Sequence, residues 1–361
     1  MEEIQHENTY TVSMENDIKA YSRAGIEKLL ASMGQPRFRT KQVVEWLYQR
    51  GVTTYDEMTN LPAALRDKLA QQAPLTVPTL VDKQISTDGT RKYVGEFADG
   101  ARVETVAIPS RDKGVAQSPK RLTICFSTQV GCPMGCVFCA TGKEGFTRNL
   151  TPGEMVDQIT FAGQDMQCRV TNVVAMGQGE PFLNYDNTLA ALRFLNSPEG
   201  PEVGARHITV STCGVIEGIR RLAEEPEQFT LAVSLHAALQ ATRDMLMPKM
   251  ASTPLPVLRQ ALVAYSERSN RRVTLEYLLI KGVNDGAADL AALKRFCKGL
   301  LCHVNILPIN EITGSPYQPS PPQTMQKWIA TLQAAGVETT LRDSRGSDID
   351  GACGQLKNAT R

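Results

Sequence analysis

Three cysteines on one short loop have the types and spacing that chemistry at a bound inorganic centre requires. They are Cys132, Cys136 and Cys139, in the spacing Cys-x3-Cys-x2-Cys. A structural zinc site or an ordinary iron–sulfur cluster takes four protein ligands, so a compact set of three leaves one position open. An open position is typical of a reactive centre. Two other interpretations stay open: a zinc ribbon, and three small buried residues in a tight turn beside Gly131 and Gly135.

The aromatic residue Phe138, directly before the last cysteine, adds a second element to this pattern. Together they resemble the signature of the radical S-adenosylmethionine (radical SAM) enzymes. The resemblance implies that the three thiolates hold one 4Fe-4S cluster, while SAM binds the fourth iron through its amino and carboxylate groups. Reduction of SAM at such a cluster yields a 5′-deoxyadenosyl radical, so the resemblance predicts an enzyme that uses this radical.

Alternating strands and helices must position this loop. From residue 122 onwards, short apolar strand patterns alternate with helical periodicities, and a further strand is predicted at 337–342. Six such steps predict an α/β fold, a radical SAM partial (βα)6 barrel with ligand-binding loops at the carboxyl ends of its strands. The predicted strands are 122–127, 171–176, 207–211, 230–235, 273–280 and 302–307, and the predicted helices are 152–165, 186–195, 215–223, 256–269 and 286–300.

Polar residues follow several of these strands, where a ligand would bind. Gly179 and Glu180 lie in Gly-Gln-Gly-Glu-Pro, which resembles the GGEP-type element by which radical SAM enzymes hold the amino group of SAM. On its own, a plain glycine turn explains this stretch equally well. Single residues such as Ser211 or His236 are more often structural, but four polar loops on one rim favour a binding site. The other rim residues are Ser234, Leu235 and Asn310.

The chain before the barrel has a different character. Helical periodicity at 17–33, 40–50 and 63–72 predicts a small helical N-terminal domain. Cations beside an aromatic residue at 37–42 suit contact with a nucleic-acid backbone, although an ordinary solvated helix end fits equally well. The predicted segments are a polar tail (1–16), a helical RNA-binding domain (17–76), a short β-hairpin sheet with a basic linker that includes Lys113 (77–121), the barrel (122–343) and a C-terminal loop (344–361).

Composition excludes several classes of protein. With 39 Lys and Arg against 38 Asp and Glu, the 361-residue chain carries a net charge of +1, so no global basic field indicates a nucleic acid. The sequence has no apolar signal-like start and no run of about 18 apolar residues. Nine cysteines without disulfide-scaffold spacing indicate ligands and redox chemistry in a reducing compartment. We therefore expect a cytoplasmic protein with no membrane partner, and we expect a monomer.

The carboxyl-terminal stretch supplies a further cysteine, Cys353, in the sequence Asp-Ile-Asp-Gly-Ala-Cys-Gly-Gln-Leu. An isolated cysteine in such a loop would ordinarily be dismissed as incidental. Cys125 lies seven residues before the first cysteine of the trio and completes the pattern. Together they resemble the radical SAM adenosine methyltransferases that modify ribosomal RNA, the RlmN/Cfr family. The resemblance spans nearly the whole chain.

This resemblance implies a substrate and residue roles. The substrate would be an adenosine in 23S rRNA, with transfer RNA as a second candidate, and C2 is favoured over C8 because C2 methylation is the commoner activity. Cys353 would accept a methyl group from one SAM, and a second SAM per turnover would supply the radical. A covalent RNA–Cys353 adduct would then form, which Cys125 resolves through a transient disulfide. Glu104 would accept the proton that leaves the adenine.

By the same resemblance, a low-potential electron donor such as flavodoxin reduces the cluster. Two hypotheses of a different functional class stay open: a radical SAM enzyme for a non-RNA substrate, in which Cys353 is structural, and a zinc-dependent RNA-binding module.

Local departures from the common family pattern bear on which RNA is the substrate and which adenine carbon is methylated. They occur at Gln178, Ala238, Lys249, Met250 and Glu311. The residues implied to hold SAM are Gly179, Glu180, Ser211, Ser234, Leu235, His236 and Asn310.

Overall fold

Twelve strands in the described part of the chain build the frame of the protein. The computed structural model describes residues 17–112, 119–312 and 314–357, so the predicted tail 1–16 and Lys113 lie outside the described residues. The strands are β1 (Thr79–Ile85), β2 (Arg91–Glu96), β3 (Arg102–Pro109), β4 (Leu122–Cys125), β5 (Gln129–Gly131), β6 (Phe146–Asn149), β7 (Asn172–Ala175), β8 (Ile208–Thr212), β9 (Thr230–Ser234), β10 (Val273–Leu279), β11 (Cys302–Pro308) and β12 (Glu338–Leu341).

Ten of these strands form one mixed sheet in the order β1-β2-β3-β4-β7-β8-β9-β10-β11-β12. From β4 to β12, neighbouring strands in this order are parallel. Parallel strands covered on both faces are apolar along their whole length, as the buried run Leu231, Ala232 and Val233 of β9 illustrates. Within the described residues β1 and β12 end the order and the barrel stays open, which confirms the predicted α/β partial barrel.

Helices alternate with the parallel strands as predicted, and three further helices were not predicted: α4 (Ala140–Glu144), α8 (Gln240–Leu246) and α11 (Pro322–Ala334). The stretch before β12 contains a helix, α11, that the proline-rich start at 319–322 had hidden from the periodicity. Its buried Trp328 packs against Tyr277 of β10 with a ring-centroid distance of 5.3 Å. The helices are α1 (Arg23–Ser32), α2 (Phe38–Val44), α3 (Ala63–Gln72), α4 (Ala140–Glu144), α5 (Pro152–Met166), α6 (Tyr185–Asn196), α7 (Ile216–Glu224), α8 (Gln240–Leu246), α9 (Leu255–Ser269), α10 (Ala287–Cys297) and α11 (Pro322–Ala334).

The predicted hairpin is present, but its strands do not form a sheet of their own. β1, β2 and β3 pair antiparallel with one another, and β3 continues the ladder onto β4, where Val106 faces Cys125. The sequence could not reveal this pairing because the basic linker separates β3 from β4 along the chain. The hairpin therefore extends the main sheet and brings β3 beside the first strand of the barrel.

The amino-terminal helices enclose a hydrophobic core of their own. Ile26, Leu30, Leu47 and Leu69 are among its buried members. The predicted helix 17–33 is interrupted, because Ser22 caps α1 by accepting a hydrogen bond from the backbone N–H of Gly25 at 3.2 Å. In the described part of the chain, no helix combines the length and the apolar character needed to cross a membrane.

A buried ion pair joins this helical unit to the barrel. Lys19 Nζ donates to Asp157 Oδ1 of α5 at 2.7 Å, and the side chains are only 5% and 11% exposed. A Cβ placed on Gly153 would lie 2.4 Å from Lys19 Cβ, so glycine permits the close approach. Burial, opposed by Lys19, raises the pKa of Asp157 from 3.8 to about 6. The Asp157 carboxylate therefore depends on Lys19 for compensation of its charge.

Replacing Lys19 with alanine is expected to lower the free energy of unfolding by about 3–5 kcal/mol, because it strands a buried carboxylate. The folded pKa of Asp157 is already above 3.8 and will rise further, so stability falls as pH rises through the folded pKa. Urea unfolding at pH 5.5 and pH 8 should therefore show the larger loss at pH 8. The exposed Lys28, changed to alanine, is the control. A loss below about 1 kcal/mol at pH 8, typical of a surface pair, would contradict this role.

Candidate active site

The cysteine loop begins after Gly131, the last residue of β5, and connects β5 to β6. Gly131 has φ +74°, and a Cβ there would lie 2.0 Å from the carbonyl oxygen of Gly145, so only glycine fits. The N–H of Cys132 donates to that same carbonyl at 2.7 Å. Further along, the N–H of Val137 donates to Leu246 O of α8 at 3.1 Å. Backbone hydrogen bonds thus hold the loop at its first cysteine and between its last two.

Cys132, Cys136 and Cys139 all line one cavity of about 940 Å³ at the carboxyl ends of the parallel strands. This cavity is called the cluster cavity below. Burial raises the pKa of Cys132 to about 12 and also raises that of Cys139, so thiolates here need a counter-charge that iron ions would supply. Among the described residues, no three His, Cys or acidic side chains converge on a single metal ion. A 4Fe-4S cluster distributes its thiolates over separate irons, so the three-cysteine wall fits that group.

Gly179 and Glu180 lie on the cluster cavity, in the turn after β7. Gly179 has φ +106°, and a Cβ on it would lie 2.7 Å from Gln129 Cβ. The Glu180 carboxylate is buried and accepts backbone N–H groups from Phe182 at 3.0 Å and Cys213 at 2.6 Å. Burial raises its pKa, and these two donors oppose the shift. The carboxylate is therefore held in one orientation on the cavity wall.

Three more predicted residues line the same cavity: Ser211 in β8, Ser234 at the end of β9, and His236 just after it. His236 Nδ1 accepts the N–H of Leu278 at 3.1 Å, and its ring packs edge-on against Phe138 at 4.7 Å. Burial, with the Arg243 charge as the second cause, lowers the pKa of His236 to about 3. The imidazole is therefore neutral, and with Nδ1 accepting, Nε2 carries the proton.

Two of the residues implied to hold SAM do not line the cluster cavity. Leu235 is fully buried in the hydrophobic core, and its N–H donates to Glu276 O at 3.0 Å. Asn310 Nδ2 donates to the backbone carbonyl of Cys353 at 3.0 Å, so it holds the tail instead. A SAM contact for either residue stays a prediction.

Cys125 and Cys353 face a second cavity, called the tail cavity, of about 1330 Å³. Cys353 is exposed and lines the cluster cavity as well. The tail is held over the cysteine loop because Gly354 O accepts the N–H of Ala140 at 2.7 Å and Thr141 Oγ1 donates to Leu356 O at 2.6 Å. The fold thus brings the two cysteines together, although more than two hundred residues separate them in sequence.

Arg342 was predicted only as the end of a strand, yet it lines both cavities. Its guanidinium group lies 3.5 Å from Glu276 Oε2 and 3.5 Å from Met176 Sδ. The charge of Cys353 is the first cause that raises the pKa of Arg342, and Glu276 and Cys125 add to the shift. Burial, together with the charge of Cys353, raises the pKa of Cys125 to about 12, and Arg342 opposes this shift. The alternating pattern of a strand does not indicate that such a residue lines a functional cavity.

Replacing Arg342 with glutamine is expected to slow alkylation of Cys353 by iodoacetamide roughly fivefold, the effect of losing about 1 kcal/mol of screened attraction for a thiolate. Arg342→Lys is the matched control, since it keeps the charge. Peptide-resolved mass spectrometry at one pH separates Cys353 from the other cysteines. An unchanged rate in a folded glutamine variant would show that Arg342 does not activate Cys353.

Glu104 lies on β3 but lines neither cavity. Its buried carboxylate pairs with Lys92 Nζ at 2.9 Å, and its Oε2 accepts the N–H of Lys357 at 2.7 Å. Because Glu104 and Val106 share one face of the sheet, and Val106 faces Cys125, the carboxylate lies on the Cys125 side beneath the tail. To accept a proton from a substrate, it would have to exchange the Lys357 contact for that substrate.

Comparison with known proteins identifies two family models in the chain. Residues 16–75 match the ribosomal RNA large subunit methyltransferase N-terminal domain, and residues 126–293 match the radical SAM superfamily. A crystal structure of a radical SAM methyltransferase from Sphaerobacter thermophilus superposes with a TM-score of 0.89 at 43% identity, over 95% of this chain and 99% of that chain.

Curated relatives match over almost the full length. A protein of Symbiobacterium thermophilum, named probable dual-specificity RNA methyltransferase RlmN, is 44% identical over 91% of this chain and 88% of its own length. A protein of the same name from Akkermansia muciniphila is 42% identical over 92% of this chain and 93% of its own length. The chain therefore belongs to the RlmN family of radical SAM RNA methyltransferases.

Proposed function

We propose that this enzyme methylates C2 of an adenosine in 23S rRNA, and also in transfer RNA, through an S-methylcysteine at Cys353. The observation that carries the proposal is that Cys353 borders both the cluster cavity and the tail cavity, while Cys125 shares only the tail cavity. The exposed Cys353 thus borders the cavity with the three-cysteine wall and also shares a cavity with the buried Cys125. Such a placement suits a carrier that is loaded on one side and unloaded on the other.

The cluster and SAM, when bound, supply the methyl group and the 5′-deoxyadenosyl radical. Cys132, Cys136 and Cys139 would hold the cluster, and Glu180 and His236 line the cavity in which SAM would lie. The neutral His236 presents a donor to that cavity, and Glu180 presents an acceptor suited to an ammonium group. One cavity would serve both SAM molecules of a turnover, since a single three-cysteine wall is present among the described residues.

The carrier chemistry follows from the two tail-cavity cysteines. Cys353 attacks the SAM methyl group as a thiolate, beside the Arg342 cation. After hydrogen-atom loss, the S-methylene radical of Cys353 bonds to the electron-poor adenine carbon, which a polar methyl transfer cannot reach. The adduct then loses the proton of that carbon and one electron, which would return to the cluster. Attack of the Cys125 thiolate on the Cys353 sulfur breaks the bond between that sulfur and the methylene carbon, which takes up a proton to become the methyl group, and leaves a disulfide between the two cysteines. Glu104 on the neighbouring strand is the proposed proton acceptor.

Labelled SAM tests this proposal directly. The protein, reconstituted anaerobically with iron and sulfide and reduced by flavodoxin, is incubated with trideuteromethyl-SAM and either 23S rRNA or transfer RNA. We expect 2-methyladenosine that has lost one methyl deuterium, together with deuterated 5′-deoxyadenosine. Mass spectrometry of the nucleosides distinguishes C2 from C8 by comparison with standards. SAM cleavage without any methyladenosine would instead favour a non-RNA substrate.

A further inference from the structure

A third cavity, called the edge cavity, lies at the amino ends of the parallel strands β4, β7 and β8. It has a volume of about 640 Å³, and Lys120, Arg121, Arg169 and His207 are among its lining residues. Arg121 also lines the tail cavity, in which Cys125 and Cys353 meet. The two cavities therefore adjoin at this residue, and a surface runs from the reactive sulfurs to the amino-terminal edge of the sheet.

Three cations dominate the charge of this surface. Lys120, Arg121 and Arg169 are exposed, and in the described part of the chain none of them takes part in a salt bridge. Glu202 is the single acidic residue of the edge cavity. By contrast, the Arg111 and Arg345 side chains of the tail cavity are already paired, with Asp343 at 2.8 Å and Asp88 at 2.7 Å. Within the described residues, the cations of this surface that have no salt-bridge partner are therefore those that line the edge cavity.

The spacing along β4 relates these cations to the chemistry. Arg121, Thr123 and Cys125 all line the tail cavity, since alternate residues of a strand face the same side. At 3.3 Å per residue, Arg121 is about 13 Å from Cys125 along the strand. The backbone of a few nucleotides spans this distance. A nucleotide with its base at Cys125 would therefore direct its neighbours along the strand towards Arg121.

We propose that Lys120, Arg121 and Arg169 form a phosphate track that binds the RNA backbone next to the modified adenosine. This inference rests on the proposed function in that the ligand is RNA. Three cations that have no salt-bridge partner among the described residues suit successive phosphates, which position a nucleic acid without reading its sequence. The near-zero net charge of the chain makes such a local surface necessary, because no global field attracts the polyanion. When these cations hold the phosphates, the unstacked base of the neighbouring nucleotide lies between the track and the tail cavity and can approach Cys353.

The salt dependence of RNA binding tests the track. The triple variant K120Q/R121Q/R169Q is compared with the wild type and with K294Q/R295Q/K298Q, which removes three exposed cations of α10 and its carboxyl end, remote from the track. Each lost phosphate contact should reduce the slope of log Kd against log salt by about 0.7, so three contacts should reduce it by about 2. We expect at least a tenfold weaker Kd for the track variant at low salt and no change for the control variant.

Each outcome has a defined meaning. An unchanged slope and Kd in a track variant with a wild-type unfolding midpoint would overturn the track. Loss of binding to anionic phospholipid vesicles, with unchanged RNA affinity, would also overturn it and assign the surface to a membrane. If the wild type binds RNA through the track but yields no methyladenosine with labelled SAM, the track stands and the proposed C2 methylation fails.

Discussion

Replacing Cys353 with alanine is expected to abolish RNA methylation while SAM cleavage continues. The side chain is exposed and borders both cavities, whereas Cys353 and Gly354 are held through their backbone carbonyl groups. Cys353 O accepts from Asn310 at 3.0 Å, and Gly354 O accepts from Ala140 at 2.7 Å. Removing the sulfur therefore removes the carrier but leaves the loop in place. The three-cysteine wall and Glu180 are untouched, so the cavity for SAM stays intact.

The assay measures 5′-deoxyadenosine and methyladenosine in the same reaction. Cys168→Ala is the matched control, because that half-buried thiol has only weak contacts, with the Pro119 and Arg169 carbonyls at 3.9 and 3.8 Å. Wild-type methylation by Cys353→Ala would exclude the methyl-carrier role. Loss of both products would point to a structural role of Cys353 in the cluster cavity.

Replacing Cys125 with alanine is expected to trap RNA on the protein. Cys125 resolves the adduct in the proposed sequence, so without it the bond between Cys353 and the adenine persists. The thiol is buried with Val106 and Leu356, and alanine removes one sulfur without introducing a polar group there. We therefore expect a folded enzyme that carries out a single incomplete turnover.

Denaturing gel electrophoresis with end-labelled RNA detects this adduct as a protein-sized band that nuclease treatment removes. Cys125→Ala combined with Cys353→Ala should give no such band, because the attachment site is missing. Normal turnover by Cys125→Ala without any adduct would show that another group releases the product. If external thiols alone release the product, the rate of product release should depend on the dithiothreitol concentration and not on Cys125.

The fold could be predicted from the sequence because each barrel strand is an apolar run and most of the helices have apolar residues at helical spacing. The cysteine spacing and the glycine-glutamate turn also predicted the position of the cluster cavity, because the carboxyl ends of parallel strands share one edge of the sheet. Residues whose importance depends on long-range contacts could not be identified from the sequence. Arg342 reads as an ordinary strand end, and Lys92 as an ordinary hairpin residue, until the fold sets them beside Cys353 and Glu104.

Other differences have physical causes of the same kind. Helix α11 was missed because its start is rich in proline, which reads as a loop. The joining of the hairpin to β4 depends on pairing across a linker, and local patterns do not encode such pairing. Leu235 is buried in the core and Asn310 Nδ2 donates to Cys353 O, and the SAM contact that the resemblance implies for each of them stays a prediction.

The position of Cys353 after β12 has a consequence for truncated copies of the protein. Cys125 and the three cysteines of the cluster wall all lie within residues 125–139, whereas Cys353 follows β12. Under the proposed function, a chain cut before Cys353 would still contain the residues proposed to hold the inorganic centre, but it would offer no sulfur to which a nucleotide could become attached. Proteolysis between β12 and Cys353 would therefore leave a fragment that is unable to damage RNA covalently.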